Sequence, residues 1–358
     1  MQVFNVEIFD RSLNNKYHDN VGSFEWQNDY LAPAESSITV NSDEGVLAGD
    51  FIHIYNDQRD VSGVITSIDM LDNKEMQVGF KSIASLFDVT CVVDTDWQGT
   101  VPIETVLANL IRGEFINNAD TLANIPALNN TITVTSSTSW GFNLKSSAAG
   151  QHHLVCGLYD VMIVNAFRKY GVVVEAVPDY ANKTIRIEIG TISLNTKIIE
   201  ADLPNVINKT IKVHEAASDT NKLTVVNEGD WTDRIFYYVH SDGSYNTTDT
   251  DRITPVVNVY KSTGVDQGGN FDQAAASVAS DVLGNIAFNN LIELEVLNDD
   301  GMIKPQTLRI GQTVSVNHNG YSYNSILSGK KVGTTTKLTF GCIRIDLTKI
   351  IKLGGNNA

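Results

Sequence analysis

An alternation of apolar and polar residues that recurs near both ends of the chain constrains its fold more than any other feature. When the sequence is compared with itself at an offset of 262 residues (311 minus 49), Gly49 aligns with Gly311. Without a gap, Gly79 aligns with Gly341 at the same offset. Apolar residues between these glycines also align, as the pairs Ile52–Val314, Ile54–Val316, Val64–Ile326, Ile65–Leu327 and Met76–Leu338. Alternate side chains of a strand face one side, so the shared two-residue period predicts the same buried face in both copies.

The four aligned glycines are the predicted landmarks of this repeat. A glycine at the end or in the interior of a strand marks a bulge or a sharp bend, such as those at the corners of a small barrel. We therefore interpret Gly49, Gly79, Gly311 and Gly341 as structural positions of a duplicated β module. The alternative is that two unrelated, half-buried hairpins share the same alternation.

The composition favours β-structure in more than one domain. The chain has 358 residues, a length typical of two or three domains. Only 19% of the residues are charged, and this suits sheets with polar, weakly charged faces better than long surface helices. The three cysteines, Cys91, Cys156 and Cys342, have neither metal-ligand spacing nor the pattern of a disulfide framework. We expect them to be buried free thiols.

The net charge of −16 limits the kinds of partner that the chain can bind. An acidic surface does not attract phosphates, so sequence-independent binding to DNA is not expected. The same charge would repel DNA that slides past it, or it serves solubility alone. We identify neither a secretory leader nor an apolar run of membrane-spanning length, and we expect synthesis in a reducing cytosol.

The predicted fold is mainly β with an α+β insert: two similar small antiparallel β-barrels plus a domain made of a helix and a hairpin. Turn residues separate the predicted strands of the first barrel, which are 1–9, 24–30, 37–41, 47–55, 61–70 and 74–82. Residues 88–95 are expected to leave this barrel. The second barrel is predicted in 291–352, which contains the second copy of the alternation.

Helical spacing of apolar residues identifies the insert between the barrels. It predicts helices at 103–111, after Pro102, and at 154–170, where Gly171 is expected to adopt a left-handed cap. The region 117–150 is polar and is predicted to be a loop with one short strand. The other elements expected before the second barrel are strands at 132–134, 172–177, 184–189, 210–214, 222–226, 234–239 and 256–260, a hairpin turn at Asp242–Gly243 and a helix at 271–287.

These elements divide the chain into five predicted regions. They are a first barrel domain, an α+β insert, a β-rich connecting domain, a second barrel segment and a flexible tail, in residues 1–97, 98–205, 206–290, 291–352 and 353–358.

No motif in the sequence predicts a catalytic, cofactor-binding or metal site. His152 and His153 are adjacent, so they do not share one face of a helix. The acidic segments 249–251 and 298–301 have too few oxygen ligands for a calcium loop. Residues 264–269 are rich in glycine but have no GK[ST] ending of a phosphate loop. We therefore expect a protein that is not an enzyme and needs no cofactor.

Three local features accompany this order of regions. They are Leu308-Arg-Ile-Gly-Gln-Thr-Val314 followed by Lys337-Leu-Thr-Phe-Gly341, the helix ending Phe167-Arg-Lys-Tyr-Gly171 before a Val-rich hairpin, and the acidic, Asn- and Thr-rich composition. With these features, the chain resembles the tail hub proteins of long-tailed bacteriophages. These proteins include the baseplate hub of contractile phages and the tail-associated proteins at the tips of phages that infect Gram-positive bacteria.

The resemblance implies a structural protein of the virion tail tip or baseplate, made in the host cytoplasm. Hubs of this family are trimers and tail tubes are hexameric rings, so two similar barrels per chain would give a trimer six nearly equivalent modules. The implied partners are two further copies of the chain, a distal tail ring and receptor-binding proteins. Phage DNA would pass through the ring without specific binding.

Two other classes of function remain open. A carbohydrate- or receptor-binding module would place exposed aromatics, such as Trp97, Trp140 and Trp231, on one platform. A glycan hydrolase would need convergent acidic residues in a cleft.

Overall fold

The computed structural model shows a mainly β chain. The structure describes residues 3–22, 24–43, 45–57, 59–71, 74–93, 101–128, 132–139, 154–192, 196–213, 221–240, 244–250, 258–264, 270–283, 288, 290–297 and 303–342.

The first part of the chain forms a six-stranded antiparallel sheet in the order β2-β1-β5-β6-β7-β4. The strands up to the insert are β1 (Phe4–Phe9), β2 (Asn15–Val21), β3 (Trp26–Asp29), β4 (Ser36–Asn41), β5 (Phe51–Tyr55), β6 (Asp60–Met70), β7 (Glu75–Ser82) and β8 (Thr90–Val93), with a 3-10 helix at Ile83–Phe87. The predicted alternation is confirmed in β4, where Ser36, Ile38 and Val40 are buried and Ser37, Thr39 and Asn41 are exposed.

Strand β2 was not predicted because its sequence is almost entirely polar. It pairs with β1, and its outer side approaches β4 at the other edge of the sheet. The Tyr17 hydroxyl donates to the carbonyl oxygen of Asn41, and the Asn41 amide donates to the Asp19 carboxylate, at 2.8 and 2.9 Å. Side chains therefore connect the two edge strands of the first sheet.

The insert combines two helices with two small sheets. Its elements are α1 (Ile103–Phe115), a 3-10 helix at Pro126–Leu128, β9 (Ile132–Val134), β10 (Leu154–Gly157), helix α2 in three continuous segments (Leu158–Asp160, π-helical Val161–Phe167 and Arg168–Tyr170), β11 (Val173–Asp179) and β12 (Thr184–Gly190). Strand β10 pairs with β8, and β9 adds to the β11–β12 hairpin in parallel with β12.

The insert confirms one sequence prediction and corrects another. Gly171 has φ +68°, and its amide donates to the Phe167 carbonyl at 2.8 Å, as expected for the cap of α2. The helix predicted at 154–170 begins later, because the first four of these residues form β10. Apolar spacing alone does not distinguish a strand that leads directly into a helix from the helix itself.

A second large sheet has the order β13-β20-β21-β22-β19-β14, and β3 also pairs with β21. The remaining elements are β13 (Lys197–Glu200), β14 (Val206–Val213), β15 (Lys222–Asn227), β16 (Asp230–Val239), β17 (Tyr245–Asn246), β18 (Asn258–Thr263), α3 (Phe271–Leu283), β19 (Asn290–Leu297), a 3-10 helix at Pro305–Thr307, β20 (Thr313–His318), β21 (Tyr321–Val332) and β22 (Thr335–Phe340).

Strand β3 corrects the predicted membership of the first barrel. The sequence placed 24–30 among its strands, but Trp26–Asp29 pairs with residues 329–332 of β21. The strand was correctly recognised, whereas its partner lies about 300 residues away and leaves no local signal in the sequence.

Three buried clusters underlie this arrangement. One fills the first sheet, with Val6, Ile52 and Phe80 among its members. A small one lies between α3 and the sheet β17-β16-β15-β18. The largest joins the insert to the second sheet and reaches Leu13 and Tyr30 of the first part. The insert and the second sheet therefore share one core.

Candidate functional site: two similar hairpin units and their junction

Strands β5–β7 and β20–β22 form two similar antiparallel units, which we call the first and second hairpin units. In the first unit the Gly49 amide donates to the Ile65 carbonyl and the Ile65 amide donates to the Asp50 carbonyl, both at 2.9 Å. In the second unit Gly311 and Leu327 make the first of these bonds at 2.8 Å, and Leu327 and Gln312 make the second at 2.9 Å. The corresponding residues are 262 apart in each case.

The same offset holds for the backbone that surrounds these bonds. Gly49 and Gly311 have φ +91° and +85°, and a β-bulge follows Ile65 in β6 and Leu327 in β21. In both units the first two strands pair in the same register: Phe51 faces Val64 just as residue 313 faces residue 326. A bulge bends its strand and strengthens the local twist, so both units curve at the same point.

The third strands follow a different offset. Phe80 pairs with Ile65 and Phe340 pairs with Leu327, so β7 and β22 correspond at 260 residues. The cause is the hairpin loop, which is two residues shorter in the second unit: Met70 faces Met76, but Val332 faces Thr336.

The two-residue difference corrects the ungapped alignment of Gly79 with Gly341. In the ladders, Gly79 corresponds to Thr339. A Cβ atom at Gly79 would lie 2.1 Å from the Ser67 hydroxyl oxygen. Gly341 has φ +91°, and a Cβ atom there would lie 1.8 Å from the Asn290 carbonyl oxygen. Each glycine permits a close approach, but at positions that are not equivalent.

Buried hydrogen bonds hold the junction between the first part, the insert and the second sheet. The buried Tyr159 hydroxyl of α2 donates to the carbonyl oxygen of Tyr30, directly after β3. The Tyr30 hydroxyl in turn accepts the Val174 amide of β11 at 2.9 Å. The Arg59 guanidinium donates to the Gly333 carbonyl at 2.8 Å and so joins the first sheet to the β21–β22 turn.

A cavity of about 410 Å³ lies at this junction. The Ser82 hydroxyl, in its wall, is buried without a hydrogen-bond partner among the described residues. Lys330 of β21 also lines the cavity and donates to the Leu308 carbonyl, while Arg309 forms ion pairs with Glu175 and Glu188. Desolvation by burial lowers the pKa of Lys330 to about 8, against the opposing effect of Glu175.

Strand β13 is an edge of the second sheet in the part of the chain that the structure describes. It occupies the place next to β20 that β1 occupies next to β5, but it pairs in parallel, and no described strand corresponds to β2 beyond it. Ile199 is buried, whereas Ile198 is 70% exposed. An unpaired edge with an exposed apolar residue is a ready surface for another chain.

The sheet β17-β16-β15-β18 has an aromatic face opposite to α3. Phe236 and Tyr260 both pair with Thr224 on the central strand, from either side, so the two rings flank one residue. Tyr260 is 65% exposed, and Trp231, five residues before Phe236 in β16, is 70% exposed. The Lys222 ammonium lies 4.9 Å from the Phe236 ring centroid, and the Arg234 guanidinium carbon lies 5.5 Å from that of Trp231.

The sequence singled out Trp231 but neither of the other two rings. The two-residue period of β16 and β18 predicts which face of each strand Phe236 and Tyr260 occupy. Their proximity depends instead on the strand order, which places β16 and β18 on either side of β15. Trp97 and Trp140 lie outside the described residues, as do His152, His153 and the Asp242–Gly243 turn.

The described residues contain no group of three or more His, Cys, Asp or Glu side chains that would hold a metal ion. Within the same residues, no helix has the length and apolar character needed to cross a membrane. Segments 265–269 and 298–302 lie outside the described residues.

Comparisons with known proteins point to one class of structure. No protein-family model matches the sequence, and no curated protein matches it significantly. The chain is similar to a tail protein from Neisseria meningitidis MC58, with a TM-score of 0.55 and 12% identity over 94% of this chain and 96% of that chain. It is also similar to the 43 kDa tail protein of prophage MuSo2 from Shewanella oneidensis, with a TM-score of 0.53 and 11% identity over 95% and 98%. At such identities the likeness concerns the fold, and it spans nearly all of each chain.

Proposed function

We propose that this chain, which has the fold of phage tail proteins, is a structural hub at the tail tip or baseplate of a virion. The observation that carries the proposal is that one chain contains two hairpin units with the same pair of backbone hydrogen bonds beside the bulge. If each unit belongs to a small barrel, three chains supply six similar barrels. The proposed hub is therefore a trimeric ring with pseudo-six-fold symmetry, which fits a six-fold tube on one side and three-fold partners on the other.

The hub would close or extend the tail tube, connect it to host-recognition components and allow DNA to pass. The charge of the chain supports the last point, because three copies at −16 each carry a formal charge of about −48. Any part of that charge in the lumen would discourage DNA from binding to the wall. This role needs no catalytic residue, cofactor or metal, and we propose none.

The mass of the protein in solution tests the trimer directly. We expect light scattering to give about 118 kDa, three times the chain mass of 39.2 kDa. Electron micrographs should show a three-fold ring with six inner densities. A particle that stays at 39.2 kDa when concentrated, or a ring without the six-fold inner density, would exclude the proposed hub.

The open edge at β13 is the contact we propose between copies. Ile198→Lys places a charge on that edge and should weaken the trimer at least tenfold, because an apolar contact is replaced by a buried charge. Leu122→Lys is the matched control, since Leu122 is 81% exposed in a loop. Equal trimer dissociation constants for the two variants would show that β13 is not part of the interface. They would not bear on the trimer itself, which the mass measurement tests.

The aromatic face favours a second candidate function, which is binding to a glycan of the host surface. Flat exposed rings on either side of β15 suit stacking against sugars. Trp231→Ala and Tyr260→Ala should each reduce binding to purified cell-wall polysaccharide about tenfold, whereas Tyr321→Ala on the second sheet should not. Absence of binding by the unaltered protein would exclude this candidate.

A further inference from the structure

Two of the three cysteines form a pair across strands β8 and β10. Cys91 and Cys156 lie directly opposite each other in the antiparallel ladder. Their Sγ atoms are 3.5 Å apart, and the Cys91 thiol lies equally close to the Cys156 carbonyl oxygen. No local pattern in the sequence predicts this pair, because 64 residues separate the two cysteines (156 − 91 − 1) and both occur in short strands.

We propose that Cys91 and Cys156 are a site of disulfide formation, oxidised in the folded protein by low-molecular-weight disulfides. Directly opposed residues of antiparallel strands have Cα atoms about 4.5–5.5 Å apart, and disulfides span Cα separations of about 4.4–6.8 Å. The sulfurs need to approach by roughly 1.5 Å to reach the bond length of about 2.05 Å. Side-chain rotation supplies this movement without a change of strand register.

The different environments of the two thiols determine which of them reacts first with the external disulfide. Cys156 is partly exposed, whereas Cys91 is 3% exposed. The hydrogen bond from the Cys91 thiol lowers the pKa of Cys156, and the same bond together with burial raises the pKa of Cys91. Cys156 is therefore the thiolate that attacks first.

One external disulfide is the oxidant for the thiol–disulfide exchange that forms the bond. The Cys156 thiolate attacks one sulfur of the external disulfide, forms a mixed disulfide and releases one thiolate. Cys91 then loses its proton to solvent and attacks the Cys156 sulfur, which releases the second external thiolate. The two protein thiols have lost two electrons, and the external disulfide has gained them as two thiols.

The bond would fasten the strand before the insert to the strand that leads into α2. Strand β8 follows the first sheet, and β10 leads directly into α2, so the crosslink closes a loop that contains α1 and β9. Closing a loop of this length restricts the unfolded chain, and we expect the melting temperature to rise by about 5 °C. A particle that leaves a reducing cytosol would gain this stabilisation without a change of fold.

Treatment of the folded, reduced full-length chain with oxidised glutathione tests the proposal. We expect a mass loss of about 2 Da without addition of glutathione, a Cys91–Cys156 peptide in a nonreducing digest, and the higher melting temperature. Cys342→Ser is the matched control and should behave like the unaltered chain. Cys91→Ser should instead retain one glutathione on Cys156, which shows that the attacking thiol is accessible even though the pair is broken.

Three results would overturn the proposal. They are an unchanged mass of the folded chain, a crosslink that involves Cys342, and a glutathione adduct on Cys156 that persists although Cys91 is present. If Cys91→Ser does not fold, Cys156→Ser provides the same test, because it should take up neither a crosslink nor glutathione under native conditions. A crosslink without a rise in melting temperature would overturn the stabilising role.

Discussion

The first sheet continues outward from β5 into β1 and β2, whereas among the described residues the second sheet ends, one strand beyond β20, at β13. The first two strands of the hairpin units have the same ladder, the same bulge and the same pair of backbone bonds around Gly49 and Gly311. The third strands correspond at an offset that is two residues smaller, and the strands that flank the two units differ in number and direction. The shared part is therefore the curved corner of the sheet.

The two units differ in the strands that pair with them. In the first unit, the far half of β6 pairs only with β7 among the described residues. In the second unit, the equivalent half of β21 also pairs with β3, which comes from the first part of the chain. The two units thus share the backbone around the bulge but differ in the strands that pair beside it. In a ring, those flanking strands would determine which surfaces remain available to other chains.

Gly341 is the position where the second unit should be most sensitive to substitution. Gly341→Ala combines a left-handed backbone with a Cβ atom 1.8 Å from the Asn290 carbonyl oxygen. We expect a loss of at least about 4 kcal/mol in the free energy of unfolding by urea, or failure to fold. Gly113→Ala in α1 is the control and should be neutral or stabilising, because nothing lies within 4 Å of its added Cβ. A mild effect at Gly341 would show that β22 does not end against β19 as described.

The equivalent glycines at the shared corner should respond unequally. Gly49 has open space around an added Cβ, so Gly49→Ala should cost only the backbone strain, about 1 kcal/mol. Gly311→Ala should cost about 3 kcal/mol, because its Cβ would also meet Val173 of the insert at 3.0 Å. Urea unfolding of both variants compares the two corners directly. Equal losses would mean that the insert does not pack on the second corner.

The sequence predicts the corners of these sheets better than their edges. Apolar alternation identifies β4–β7 and β20–β22, although it is regular in β4 and is interrupted elsewhere by buried runs such as residues 325–329 of β21. Gly171 was correctly identified as a helix cap. The slip of the third strand escapes detection for a physical reason: a shift of two residues returns every side chain to the same face. Gly79 and Gly341 therefore align in the sequence although their ladders place them differently.

Long-range pairing explains the other misses. Strand β3 finds its partner in β21, and β10 forms because β8 lies beside it, so neither partner can be inferred from nearby residues. The aromatic face depends on the order of β15, β16 and β18. The thiol pair depends on the contact of two strands that the whole of α1 separates in sequence. Each of these features belongs to the fold rather than to a local pattern.

The bonds of Tyr30 and Tyr159 join β3, which pairs with β21 of the second unit, to the insert. Tyr30→Phe removes the acceptor of the Val174 amide and leaves that buried N–H group unpaired. We expect a loss of about 2 kcal/mol in the free energy of unfolding. Tyr321→Phe is the control, because Tyr321 is 69% exposed, and should change stability little. Similar losses in the two variants would argue against a direct role of Tyr30 in joining β3 to the insert.

Lys330 allows the two units to be compared by pH. Its counterpart at an offset of 262 is Ile68, and both residues pair across to the third strand, with Leu338 and Val78 respectively. The pKa of Lys330 is about 8 in the folded chain and near its ordinary value of 10.5 when unfolded. Between these values the unfolded chain binds more protons, so rising pH favours the folded state.

Lys330→Ile gives the second unit the residue of the first and should remove this contribution. From pH 8 to 9 the unaltered chain should gain about 1 kcal/mol of stability relative to the variant. Lys331→Ile is the control, because Lys331 is half exposed and paired with Glu25 at 3.0 Å. Parallel stability curves for the unaltered chain and Lys330→Ile would mean that the ammonium group reaches water. The junction cavity would then be open to solvent at β21, and the two units would differ there in sequence but not in the solvation of that strand.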